Sequence, residues 1–151
     1  VKNLQHNNKW LPEAKGKVVK IIAQLLSHLP ANYHYQVIFM ERDVLEVIAS
    51  QQKMLVRDGK RVNEDTLQLQ LVNQYTQTVD KVKEWAENQP NVDIIFLSHQ
   101  EVVKNPFLKA MLINDFLGGQ LPVEKMAAAV DKNLYREKKE KFNHSGTFAK
   151  G

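Results

Sequence analysis

The chain reads as an α/β fold, a three-layer arrangement with a parallel sheet flanked by helices. Three observations predict it. Short apolar runs of branched and aromatic residues have the character of strands covered on both faces. Longer stretches carry apolar residues at helical spacing, and short connections make the two kinds of segment alternate. A length of 151 residues with 43% hydrophobic and 25% charged residues is ordinary for one globular domain, here 1–151.

Taken in order, Lys9-Trp10-Leu11-Pro12 reads as a loop with an anchoring aromatic, and 16–22 as the first parallel strand. Residues 23–29 form a short helix that must end before Pro30, and 31–35 turn into the second strand, 36–41. Asp43 offers an N-cap, with Glu46 three residues on as a capping-box-like partner, for a helix running to about 57. Gly59 lies near its C-cap. Leu71, Val72, Tyr75, Val79, Val82 and Trp85 make a packing stripe along a helix over 63–88, which Gln89-Pro90 ends. The third strand is 92–97. Asn105-Pro106 supplies a cap and a first-turn proline for a helix whose buried stripe is Phe107, Leu108, Met111, Leu112 and Phe116. Gly118-Gly119 stops it, and a further short helix opens at Pro122-Val123-Glu124. No repeat or low-complexity tract divides the chain.

The junction after the second strand carries the most chemistry. A strand's carboxyl end feeding a helix N-terminus is where open α/β sheets bind ligands, and helix N-termini favour anions. Arg42 stands there, and Ser50 lies about two helical turns beyond Asp43 on the same face. A guanidinium forked onto two oxygens and a hydroxyl donating to a third could hold one phosphate. The competing reading is a surface ion pair of Arg42 with Glu41, Asp43 or Glu46. His99 follows the carboxyl end of the third strand, at the same ligand edge, and invites a catalytic reading against a structural one.

Other chemistries find no support. There is no cysteine, hence no disulfide, thiolate zinc site or thiol nucleophile, a composition that suits a reducing compartment and a cytoplasmic location. The five histidines have no H-x-x-H or H-E-x-x-H spacing, so no metal is expected. No G-x-S-x-G elbow is present, and no apolar run approaches the roughly 18 residues of a membrane span. Most of the net charge of +4 lies beyond residue 130, and 137–151 reads as a basic, frayed tail. That tail interleaves acids with its lysines, so nucleic acid is not an expected partner.

Arg42-Asp43-x-x-Glu46-Val47-x-x-Ser50 resembles the 3′-phosphate-binding motif of sulfotransferases, commonly written R-N-P-x-D-V-x-x-S. Asp43 replaces the usual asparagine and Val44 the usual proline. The run from Val37 to Leu55 is similar to bacterial sulfotransferase-like proteins. Val102-Val103-Lys104-Asn105-Pro106 and Phe116-Leu117-Gly118-Gly119 resemble that family's later segments. The resemblance implies a P-loop nucleoside triphosphate hydrolase-like fold. It also implies transfer of a sulfuryl group from 3′-phosphoadenosine 5′-phosphosulfate (PAPS) to a hydroxyl or amine of an unidentified small-molecule or carbohydrate acceptor. Arg42 and Ser50 would then hold the 3′-phosphate. Arg136 would replace the late R-K-G loop that this sequence lacks.

None of the six glycines sits in a phosphate loop of the P-loop or sulfotransferase type, and the sequence starts at Val1. The expectation is therefore a C-terminal portion of such an enzyme, inactive alone, that self-associates through an exposed sheet edge. Two alternatives stay open: another phosphate-binding transferase of the same fold, or a non-catalytic interaction domain derived from it.

Overall fold

The computed structural model of the chain describes residues 9–57 and 64–134. Two strands, β1 (Tyr35–Glu41) and β2 (Val92–Ser98), pair into one sheet. Like ends lie together. At the amino ends the Tyr35 amide donates to the Asn91 carbonyl at 2.9 Å, and His34 Nε2 meets Asp93 Oδ2 at 2.8 Å. Just past the carboxyl ends, the Gln100 amide donates to Glu46 at 2.9 Å. The strands are therefore parallel, and a parallel pair needs a long crossover. The crossover runs through α2 (Val44–Arg57) and α3 (Glu64–Glu87). After β2 come α4 (His99–Lys104), α5 (Pro106–Phe116) and α6 (Val123–Ala128). Before β1 lie α1 (Leu11–Ala14) and a 3-10 helix, Ala23–His28. The result is the expected α/β fold with a small parallel sheet flanked by helices.

The described residues fall into two compact units. One holds the residues up to Tyr35 together with Asn73–Asp93. Its buried apolar residues are Leu11, Leu26, Val79, Val82 and Ala86. Val79 and Val82 belong to the helical stripe read along α3, whereas Trp85 is half-buried and its neighbour Ala86 takes the buried place. The other unit holds Gln36–Val72 and the residues from Ile94 onward, and buries Ile48, Leu97 and Ala110. Within it Phe39 and Phe96 meet across the two strands with ring centroids 5.3 Å apart, a tilted aromatic pair. Gln36 Nε2 donates to the Phe116 carbonyl at 2.8 Å, tying the start of β1 to the end of α5.

Several sequence expectations are corrected. Residues 16–22 are not a strand: Gly16 has φ +70°, the segment has no sheet partner, and Val18 is 95% exposed. A run of branched residues records fitness for a pleated neighbour, and among the described residues no third strand provides one. For the same reason β1 and β2 are each an edge strand. Val37, Ile38 and Phe39 are accordingly half-buried rather than sealed on both faces. Leu11–Ala14 is a short helix rather than a loop, with Pro12 in its first turn.

The stripe on α5 is also revised. Phe107, Leu108, Met111 and Leu112 are exposed, while Ala110 is the buried residue and Phe116 is half-buried. That helix is apolar almost all round, so its spacing does not select a face. Asn105 does not cap α5 with its side chain, which instead donates to Glu101 Oε2 at 3.3 Å.

The glycine stop of α5 and the Asp43 cap of α2 are as read, while Glu46, expected as a capping-box partner, turns its carboxylate to Gln100 and Arg42. Gly59 lies outside the described residues. Gly118 and Gly119 take φ of +99° and +79°, and Gly119 N returns to the Asn114 carbonyl at 2.7 Å, closing the end of α5. Asp43 Oδ1 accepts the Leu45 amide at 3.0 Å, capping α2. Ile48, 1% exposed, is the most deeply buried apolar side chain described. Ile48→Ala is expected to cost about 3 kcal/mol through lost transfer energy and a residual cavity. Urea denaturation checks it: the midpoint should fall with the slope unchanged.

Candidate functional site

Arg42 follows β1 directly, and Asp43 caps the helix that begins at Val44. The buried run of β1 needs its sheet partner and α2 needs its cap, so the chain must turn between Glu41 and Val44. Arg42 occupies that turn, at the carboxyl edge of the sheet, with its side chain 41% exposed. Inward, its guanidinium faces Glu46: Arg42 NH2 lies 3.7 Å from Glu46 Oε2, across the i,i+4 interval.

Glu46 is the unusual member. Its side chain is only 1% exposed, and no other polar or charged residue among those described is fully buried. A buried carboxylate loses several kcal/mol of hydration and persists where charged and hydrogen-bonding partners compensate it. Arg42 supplies the charge. Gln100, the second residue of α4, supplies a hydrogen bond from beyond β2, its Nε2 donating to Glu46 Oε1 at 2.9 Å. The surface ion-pair reading of the sequence is thus half right. The pair forms, but with a sealed acid rather than a surface one, and the arginine side chain as a whole is 41% exposed.

Ser50 lies one turn beyond Glu46 on α2 and is exposed. Arg42, Glu46 and Ser50 recur every four residues, so the acid stands between the two expected phosphate donors along one stripe. The Arg42 guanidinium and the N-terminus of α2 share the carboxyl edge, a chemistry that suits an anion, while Ser50 stands about two turns further along the helix.

His99 joins this group. It opens α4, behind the Ser98 side chain, which accepts the Glu101 amide at 3.4 Å. Its Nδ1 is shut off from solvent. Burial lowers the imidazole pKa below its ordinary 6.5; the Arg42 charge lowers it further, and Glu46 opposes both. His99 therefore feels Arg42 and Glu46 electrostatically, and the two ligand edges picked out in the sequence form one cluster. Gln100 was missed by sequence reasoning. Its position directly after His99 at a strand's carboxyl end was the available signal, but an amide side chain has no charge or motif to draw notice. Arg136 lies outside the described residues. Among the described residues no cluster of His, Asp and Glu could hold a metal ion, and no helix is long and apolar enough to cross a membrane.

Comparison with known proteins identifies a family. The family model described as Sulfotransferase domain matches residues 14–147, nearly the whole chain. No curated protein and no solved structure matches significantly.

A pH dependence follows from His99. Its folded pKa lies below the unfolded value of about 6.5, so the unfolded chain takes up a proton first as pH falls. The stability this group contributes is present above pH 6.5 and is lost progressively as pH drops from there toward the folded pKa. Urea midpoints measured from pH 7.5 downward should fall below pH 6.5. His99→Asn should flatten that fall.

Proposed function

The chain belongs to the sulfotransferase family, and from that premise we propose that it serves the transfer of a sulfuryl group from PAPS to a hydroxyl or amine acceptor. In this reading Arg42 and Ser50 hold the nucleotide's 3′-phosphate. The observation that carries it is the half-exposed Arg42 guanidinium at the β1–α2 junction, braced from within by a buried carboxylate. Arg42 forks onto two phosphate oxygens, and Ser50 donates its hydroxyl to a third. The N-terminus of α2, capped by Asp43, adds partial positive charge at the same edge. Arg136 belongs to the proposal as a further cation for that phosphate.

When bound, PAPS supplies the activated group: the bond from sulfur to the 5′-phosphate oxygen breaks as the acceptor's oxygen or nitrogen bonds to sulfur. The residues of this chain select the nucleotide rather than the acceptor. The 3′-phosphate distinguishes PAPS from ordinary adenine nucleotides, and Arg42 with Ser50 reads that difference. The whole span 1–151 is taken as one sulfotransferase-like domain, and the cysteine-free composition supports a cytoplasmic setting.

The sequence carries no phosphosulfate loop, so the experiment reads binding rather than turnover. Isothermal titration should give adenosine 3′,5′-bisphosphate at least about tenfold tighter binding than adenosine 5′-monophosphate, the value of one charge-assisted hydrogen bond. Equal affinities would overturn the assignment of Arg42 and Ser50. Arg42→Lys, which replaces the fork by a point charge, should remove most of the difference and leave the monophosphate unchanged.

A further inference from the structure

We propose that Gln100 and Glu46 are positioning residues, which together set the orientation of the Arg42 guanidinium toward the phosphate. The proposal rests on the 3′-phosphate reading above. It starts from a cost: the Glu46 carboxylate is 1% exposed, and a charge so placed must be compensated from fixed directions. Gln100 occupies one oxygen, Oε1, at 2.9 Å. The other, Oε2, faces Arg42 at 3.7 Å.

The chain of contacts runs Gln100, Glu46, Arg42, and its ends follow different strands. Gln100 stands two residues past β2 and Arg42 one residue past β1, 58 positions apart in sequence. Gln100 therefore transmits the pairing of the two strands to the arginine. Without such a brace, an arginine at a turn samples many rotamers and must be ordered by each ligand it binds. With it, the guanidinium is drawn toward the acid by charge, and the side chain, 41% exposed, stays within reach of a ligand in a restricted set of orientations. The brace also neutralises the acid that lies between Arg42 and Ser50 along α2, which an incoming phosphate would otherwise meet as a like charge. Burial and the Arg42 charge lower the pKa of His99, next to Gln100, against the opposing pull of Glu46, which disfavours a second cation in the same cluster.

The test measures the ratio of affinities for adenosine 3′,5′-bisphosphate and adenosine 5′-monophosphate, because a merely structural role would weaken both alike. Gln100→Met keeps the side-chain volume and removes the donor. It is expected to weaken the bisphosphate about tenfold and to leave the monophosphate within about twofold. Glu46→Gln keeps the shape and the bond to Gln100 but removes the charge facing Arg42. It should lower the ratio similarly, and it is read in place of Gln100→Met if that variant lacks a cooperative melt. Arg42→Lys is measured in parallel. If Arg42→Lys collapses the ratio while Gln100→Met and Glu46→Gln keep it, the brace is overturned and the phosphate reading stands. If Arg42→Lys itself leaves the ratio unchanged, the phosphate reading falls and the brace with it.

Discussion

A buried carboxylate governs the local architecture of this protein. Glu46 is sealed beneath the carboxyl ends of the two strands, where an uncompensated charge would cost several kcal/mol. It is tolerable because an arginine reaches it from the end of β1 and a glutamine from the end of β2. That requirement links two segments more than fifty residues apart. It also constrains the sheet, since only a parallel pair brings both carboxyl ends to one edge.

The site and the core share one helix. Along α2, Asp43 caps the first turn, Glu46 turns into the charge cluster and Ile48 fills the interior two residues later. Any shift of the helix that loosened Ile48 would also displace Glu46, so the placement of Arg42 inherits the rigidity of apolar packing. Parallel pairing orients β1 and β2, the Phe39–Phe96 contact joins them across the sheet, and the Gln36 bond to the end of α5 anchors the opposite end of β1. This is the general economy of α/β folds, in which ligand edges are made from loops that short, well-packed elements hold in place.

How much was legible varied with the physics of each element. Both observed strands were visible as apolar runs with turn residues on either side. α2 and α3 were visible from their caps and spacing, to within a residue or two of their observed ends. The 16–22 strand failed because a β-branched run signals only a preference for a pleated neighbour, and the neighbour is a tertiary fact. The α5 stripe failed because a helix that is apolar almost all round has no periodic minimum to mark its outer face. Among the candidate site residues, Arg42, Ser50 and His99 were singled out by position, at strand ends and along a helix face. Gln100 was not, because its role exists only through Glu46.

The sequence by itself determined the α/β class, the strand-to-helix junction with Arg42 at its turn, and the sulfotransferase resemblance that the family match bears out. These depend on local spacing, capping and motif, which are written in contiguous residues. Tertiary structure alone decided that Glu46 is buried, that Gln100 rather than a nearer residue donates to its Oε1, and that His99 lies within the field of Arg42. Each of those is a matter of burial and of through-space distance between separate strands. Desolvation, which makes a carboxylate at this edge seek an arginine and a glutamine, acts only once the chain has folded around it.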